Sequence, residues 1–159
     1  MIHDDLRIEQ LANRIDLLPV VAGWIYDEWW QDAEEASLNT LTDLLRAHRV
    51  PDQMPMTLIA LLGLHPVGTA TLLPHDVGTE QWPQLSPWMA AVYVAPAYRR
   101  RGIGARLVNE TVAGARAIGA SVLYLLTTER EDFYGQLGWQ VLDRAGESVV
   151  MSHSLVVPH

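Results

Sequence analysis

The 159-residue sequence contains no cysteine. Disulfides, thiolate metal sites and a cysteine nucleophile are thereby excluded. Long apolar runs are also missing: Leu17 to Tyr26 is about ten residues, against the roughly 20 that span a bilayer. The start, Met1-Ile2-His3-Asp4-Asp5, is acidic where a secretory signal would be basic. A soluble, cytoplasmic protein with no membrane partner is the expectation. Positive charge is scarce, with 11 Lys and Arg against 19 Asp and Glu and a net charge of −8. That balance opposes nucleic acid as a partner, because phosphate contacts require a basic surface. The six histidines are scattered, with no i, i+4 pair, so no metal site is expected. Ser86, Ser121 and Ser148 lack the surroundings of a nucleophile elbow. Phenylalanine occurs once against six tryptophans. Trp24, Trp29 and Trp30 suit core and rim packing, whereas Trp82 and Trp88 could pack or line an acceptor pocket.

What remains is a globular composition, 49% hydrophobic and 19% charged. The length suits one domain over residues 1–159. Alternation predicts strands at Leu6–Leu11, Met56–Leu62, Val67–Leu73, Trp88–Val94, Val122–Thr127, Trp139–Arg144 and Val149–Ser154. Helical spacing predicts helices at Leu17–Trp30, Ala33–His48, Gly102–Ile118 and Glu129–Leu137. Thr128 and Glu131 fit a capping box for the last of these, and Gly138 suits its left-handed end. Pro74–Pro87 is irregular and is placed at the mouth of a site. The order implies an α/β fold with a mixed central sheet and helices on both faces.

The most informative stretch is Val92 to Val108. A strand runs through Pro96 into the loop Arg99-Arg100-Arg101-Gly102-Ile103-Gly104-Ala105, and a helix follows. Glycines allow close backbone approach, and a helix start leaves N–H groups unpartnered. Together with the helix dipole they suit a phosphate or diphosphate. Arg99, Arg100, Arg101 and Arg106 concentrate positive charge there. A nucleotide P-loop would need Lys then Ser or Thr after its last glycine, and Gly104 is followed by Ala105-Arg106. A dinucleotide fold would need a third glycine and an acid at the end of the next strand, and Val122–Thr127 holds no acid.

Arg99-x-x-Gly102-x-Gly104 after Val92-Tyr93-Val94-x-Pro96 resembles the acyl-CoA motif of the GNAT N-acetyltransferase superfamily. Phe133-Tyr134-x-x-Leu137-Gly138-Trp139 resembles the family's Phe-Tyr-x-x-x-Gly-Phe segment. The likeness covers Thr57 to Ser154. It implies a mostly antiparallel sheet in which two parallel strands, Trp88–Val94 and Val122–Thr127, splay around acetyl-CoA. The cofactor would meet Val92, Tyr93, Val94, Thr127 and Tyr134, with its diphosphate on the amides of Arg99 to Ala105. An amide near Val92 would polarise the thioester, and Tyr134 would protonate the leaving thiolate. From a phenol near ~10 to a thiol near ~8.5 that transfer is uphill by roughly 2 kcal/mol.

Where family members often carry a glutamate base this chain has Ala90 and Ala91. Glu28 and Asp76 stand as the catalytic base candidates, with His75 and Glu80 nearby in sequence to the latter. Trp30, Asp76 and Trp88 are candidates for contacting the acceptor, a small-molecule or peptide amine. A second copy of the chain is the remaining expected partner. A non-catalytic acyl-CoA sensor and a nucleotide-binding α/β protein stay open as alternatives.

Overall fold

The computed structural model describes residues 5–31, 37–48 and 50–156. Strand β1 is Leu6–Gln10, and two 3₁₀ turns lead to α1, Leu18–Ile25, which continues as a π-helical turn over Tyr26–Trp30. Helix α2, Leu38–Arg46, precedes β2 (Met56–Leu62), β3 (His65–Leu73) and β4 (Trp88–Val94). Then come α3 (Ile103–Ile118), β5 (Val122–Thr127), α4 (Glu131–Gln136), β6 (Gln140–Ala145) and β7 (Ser148–Ser154). The strands form one sheet in the order β1-β2-β3-β4-β5-β7-β6. Every pairing is antiparallel except β4 with β5, as the expected fold class requires.

Local chemistry moved several helix boundaries. The expected start of α2 near Ala33 lies outside the described residues. The helix itself begins after Ser37, whose hydroxyl accepts the Thr40 N–H at 3.0 Å and so caps it. Its end tightens: the Ala47 and His48 amides donate to Leu44 and Leu45 carbonyls, so it stops at Arg46. Helix α4 begins at Glu131 and lacks the expected capping box. The Thr127 hydroxyl, not that of Thr128, accepts the Arg130 N–H at 3.1 Å. Glu131 points away, held by both guanidinium nitrogens of Arg144 on β6 at 3.0 and 2.9 Å. A bidentate charged pair outcompetes a weak backbone cap.

The two faces of the sheet are packed differently. Against α3 and α4 lies one apolar cluster, including Met56, Leu58, Ala70, Leu72, Met89, Leu107, Leu125 and Tyr134. On the other face α1 and α2 cover Ile59 and Leu61, while Trp82, Trp88 and Val150 form a separate cluster toward β7. The Pro74–Pro87 segment is strapped down over this second cluster. Ser86 donates to the Pro74 carbonyl at 2.7 Å, and the Trp82 indole donates to Asp143 at 2.8 Å. No described helix is long and apolar enough to cross a membrane.

Candidate active site

Strands β4 and β5 pair only at Trp88 with Tyr124 and Met89 with Leu125. Beyond that point the sheet opens. On its other side β4 carries an extra residue: Thr71 faces Ala90, yet Thr69 faces Tyr93. This bulge bends the strand away from β5. Ala91 sits in it with φ of 54°. A left-handed alanine costs about 1–2 kcal/mol, so the surrounding structure holds a strained backbone at the mouth of the gap. After the bulge, the Ala95 amide donates to Val67 on β3 at 2.9 Å. Alternation then turns the main-chain groups of Val92 and Val94 into the gap. The Val94 carbonyl is taken by Arg99 Nε at 2.8 Å, which leaves the Val92 groups and the Val94 N–H to face a ligand.

At the far end of β4 stands the start of α3. Its first internal hydrogen bond runs from the Arg106 N–H to the Gly102 carbonyl at 3.1 Å. The amides of Ile103, Gly104 and Ala105 are therefore without helical partners. Gly102 has φ of 81° and Arg100 φ of 65°, which turn the loop sharply into the helix. No acidic residue occupies the first turn, so no internal carboxylate satisfies those amides. Arg99, Arg100 and Arg101 are exposed around them. A side chain at Gly104 would begin 3.5 Å from Phe133 and 3.7 Å from Val94. Loop, strand and α4 thus converge on one point.

Tyr134 on α4 is 8% exposed and packs edge-on against Phe133 at 5.0 Å and Trp139 at 6.0 Å. Burial pushes its hydroxyl up to about 12, against a smaller opposing pull from the Arg130 guanidinium. Arg130 itself lies 4.8 Å over the Phe133 ring. Thr127, expected beside the cofactor, is buried with its oxygen already accepting the Arg130 amide.

The other expected side chains are spread over the opposite face. Glu28 is exposed and Trp30 half-buried on the π turn that ends the first helix. Tyr93 projects toward the same helix, 5.6 Å from Trp24 and 6.4 Å from Trp29, with Arg99 5.5 Å over its ring. Asp76 is half-buried in the strapped loop and accepts the Val77 N–H at 2.8 Å. Burial raises its carboxyl above the usual range, the Val77 bond pulls it down, and Glu80 adds to the rise. Trp88 does not reach an acceptor channel. It is fully buried, its indole donates to the Leu85 carbonyl at 2.8 Å, and it has no surface to offer an acceptor. Bulk explains the outcome: a large ring at the paired end of β4 fills the cluster under the loop.

Sequence reasoning passed over three features. Ala91 gave no signal, since alanine is not a residue that announces positive φ. Gly68 on β3 did: an isolated glycine in a strand marks close approach. A Cβ there would lie 2.7 Å from the Tyr93 carbonyl and 3.0 Å from Leu107. The third is a buried polar chain in which His48 Nδ1 meets the Thr57 hydroxyl at 2.8 Å and Thr57 meets Thr71 at 3.2 Å.

Solved structures with this arrangement are numerous, although no curated protein matches the chain in sequence. An aminoglycoside 6′-acetyltransferase type Ii aligns with TM-score 0.72 and 16% identity, over 96% of this chain and 99% of its own. An aminoglycoside 6′-N-acetyltransferase complexed with coenzyme A aligns with TM-score 0.73 and 14% identity, over the same shares. N-acetylglutamate synthase from Neisseria gonorrhoeae, complexed with coenzyme A and N-acetyl-glutamate, aligns with TM-score 0.66 and 17% identity, over 96% of this chain and 35% of its own. At such identities the likeness is one of fold. The Acetyltransferase (GNAT) family profile matches residues 24–139, a span that includes the splayed strands, the glycine loop and Tyr134, and the chain belongs to that family.

Proposed function

We propose that this chain is an acetyl-CoA-dependent N-acetyltransferase that transfers the acetyl group directly to a primary amine of a small molecule or peptide. The opening between β4 and β5, with the strained bulge at Ala91 turning the Val92 groups into it, carries this reading. An edge amide buried without a partner costs about 1–3 kcal/mol. A pantetheine arm in the gap satisfies the Val92 carbonyl and the Val94 N–H. The amides from Arg100 to Ala105 receive the diphosphate, while the Arg99 amide stays on the Pro96 carbonyl at 3.4 Å and the Tyr93 ring stays against the first helix. The coenzyme A held by relatives in fold supports the same donor.

The acceptor approaches from the α1 and α2 face, where Glu28 and Trp30 on the π turn and Asp76 in the loop offer separate negative and aromatic surfaces to a cationic amine. Its nitrogen attacks the thioester carbon while the Val92 N–H stabilises the carbonyl oxygen. The C–S bond then breaks and the electron pair stays on sulfur. Tyr134 supplies a proton to that thiolate from the other face. With its hydroxyl at about 12 and a free thiol near ~8.5, the transfer is uphill by roughly 5 kcal/mol. Burial of the thiolate in the same site raises its own basicity and narrows the gap.

Thiol release from acetyl-CoA across a panel of primary amines tests the reading. Turnover with at least one amine is expected, and Tyr134→Phe should reduce kcat by about 10²–10⁴ while CoA still binds. Tight CoA binding with no turnover on any amine would make the chain an acyl-CoA sensor instead.

A further inference from the structure

The face that receives the acceptor contains an uncommon feature for a sheet under two helices. Between the apolar cluster of α1 and α2 and the cluster around Trp88 runs a seam of buried polar groups. Thr57 is 1% exposed, Thr71 3% and His48 8%. Their bonds are continuous, from His48 Nδ1 to the Thr57 hydroxyl to the Thr71 hydroxyl. Thr69, next along β3, is different: its hydroxyl donates to the Leu58 carbonyl of β2 and takes no part. Thr71 ends the chain directly opposite Ala90, at the edge of the bulge. The side chain it faces there is a single, half-buried methyl group.

Resting on the acetyltransferase reading above, we propose that Thr71, Thr57 and His48 form a proton relay that serves as the base for the acceptor amine. It stands where Ala90 and Ala91 offer no carboxylate. The acceptor ammonium gives one proton to Thr71 Oγ1. Thr71 passes its own to Thr57, and Thr57 passes its own to His48 Nδ1, so that the imidazole becomes imidazolium. The freed lone pair attacks the thioester carbon. A second proton leaves nitrogen for solvent as the C–S bond breaks, and solvent restores to Tyr134 the proton it gives to the thiolate. His48 then returns its proton to solvent, and the sum is amide, free CoA thiol and one released proton.

The geometry separates the two proton movements by the sheet itself. Tyr134 belongs to the cluster under α3 and α4, whereas Thr57 and Thr71 alternate with residues facing that cluster and so face α1 and α2. Acid and base therefore lie on opposite faces of the sheet.

The imidazole is set up to be neutral. Burial alone lowers its proton affinity, with no charged neighbour contributing. Helix α1 and strand β2 contain no titratable side chain, and β3 has only His65 at its far end. On α2, Asp43 and Arg46 pair with each other at 2.7 Å, largely exposed.

The test is the pH dependence of kcat/KM with acetyl-CoA saturating, for wild type, Thr57→Val, Thr57→Ser and His48→Gln. Thr57→Val and His48→Gln should lose about 10²-fold or more at pH 7. Their ascending limb should move up by at least a unit, to the amine's own pKa, with CoA affinity unchanged. Thr57→Ser, which keeps the hydroxyl, should retain most of the activity and the wild-type limb. Should Thr57→Val fail to fold, Thr71→Val breaks the chain one link later. Folded relay variants with wild-type activity and an unmoved limb would overturn the relay and leave the acetyltransferase reading standing. A wild type that binds CoA and acetylates no amine would overturn both.

Discussion

The two faces of the sheet solve different problems with the same strands. Under α3 and α4 the apolar cluster is unbroken from Met56 to Leu155, and a glycine at 68 lets β4 and Leu107 come close to β3. Under α1 and α2 the packing divides, and threonine hydroxyls and a histidine fill the division. The first face carries the helix that presents free amides and the helix that carries Tyr134. The second face gives up continuous packing and gains polar groups beside the bulge. A close-packed interior tolerates such groups only when they bond one another.

Substitutions on each face can break this contrast. The largest effect is expected at Gly68→Ala. Its new Cβ would meet a backbone carbonyl 2.7 Å away, which cannot swing aside, and Leu107 at 3.0 Å. Overpacking of this kind costs about 1–3 kcal/mol, readable as a lowered urea midpoint. A midpoint equal to wild type would mean that the α3 face is looser than described.

On the seam the expected effect is pH-dependent. His48 binds its proton less readily when folded than in the unfolded chain, where the value is near 6.5. Its contribution to stability is therefore complete above about 6.5 and is lost as pH falls below that value, by up to about 1.4 kcal/mol per pH unit. Urea unfolding of wild type between pH 7 and pH 5 should fall more steeply than that of His48→Gln. Parallel slopes would remove the buried neutral imidazole from the account.

The smallest effect is expected at the bulge. Ala91→Gly relieves a left-handed φ and should raise or leave unchanged the unfolding free energy, by at most about 1 kcal/mol. Ala91→Val should lower it. Equal stabilities for all three would show that the strain is not held there.

Much of this was legible in the sequence where one residue type has one physical meaning. Alternation located all seven strands of the sheet, and Gly102 located the turn into α3 because its backbone there takes a positive φ of 81°. The short helix carrying Tyr134 was legible through Gly138 just past its end, which takes a left-handed φ of 94°. What escaped depends on partners distant in the chain. Arg144 drew Glu131 out of the capping box, and no local pattern near 131 records that. Trp88 looked like a pocket wall because the loop that buries it has no periodicity. The seam was invisible for the same reason: His48, Thr57 and Thr71 are unremarkable until α2 and two strands bring them together.

In the proposed enzyme the unpartnered amides at the start of α3 hold the donor's diphosphate. Ala105→Asp tests it with opposite signs, because a carboxylate in the first helical turn favours the helix dipole yet repels a diphosphate. Calorimetric titration of CoA into wild type and Ala105→Asp, with both proteins shown to be folded, is the decisive measurement. Binding by the wild type is expected, with at least a tenfold loss in the variant, about 1.4 kcal/mol, and no loss of stability. Equal CoA affinity in the two proteins would contradict it.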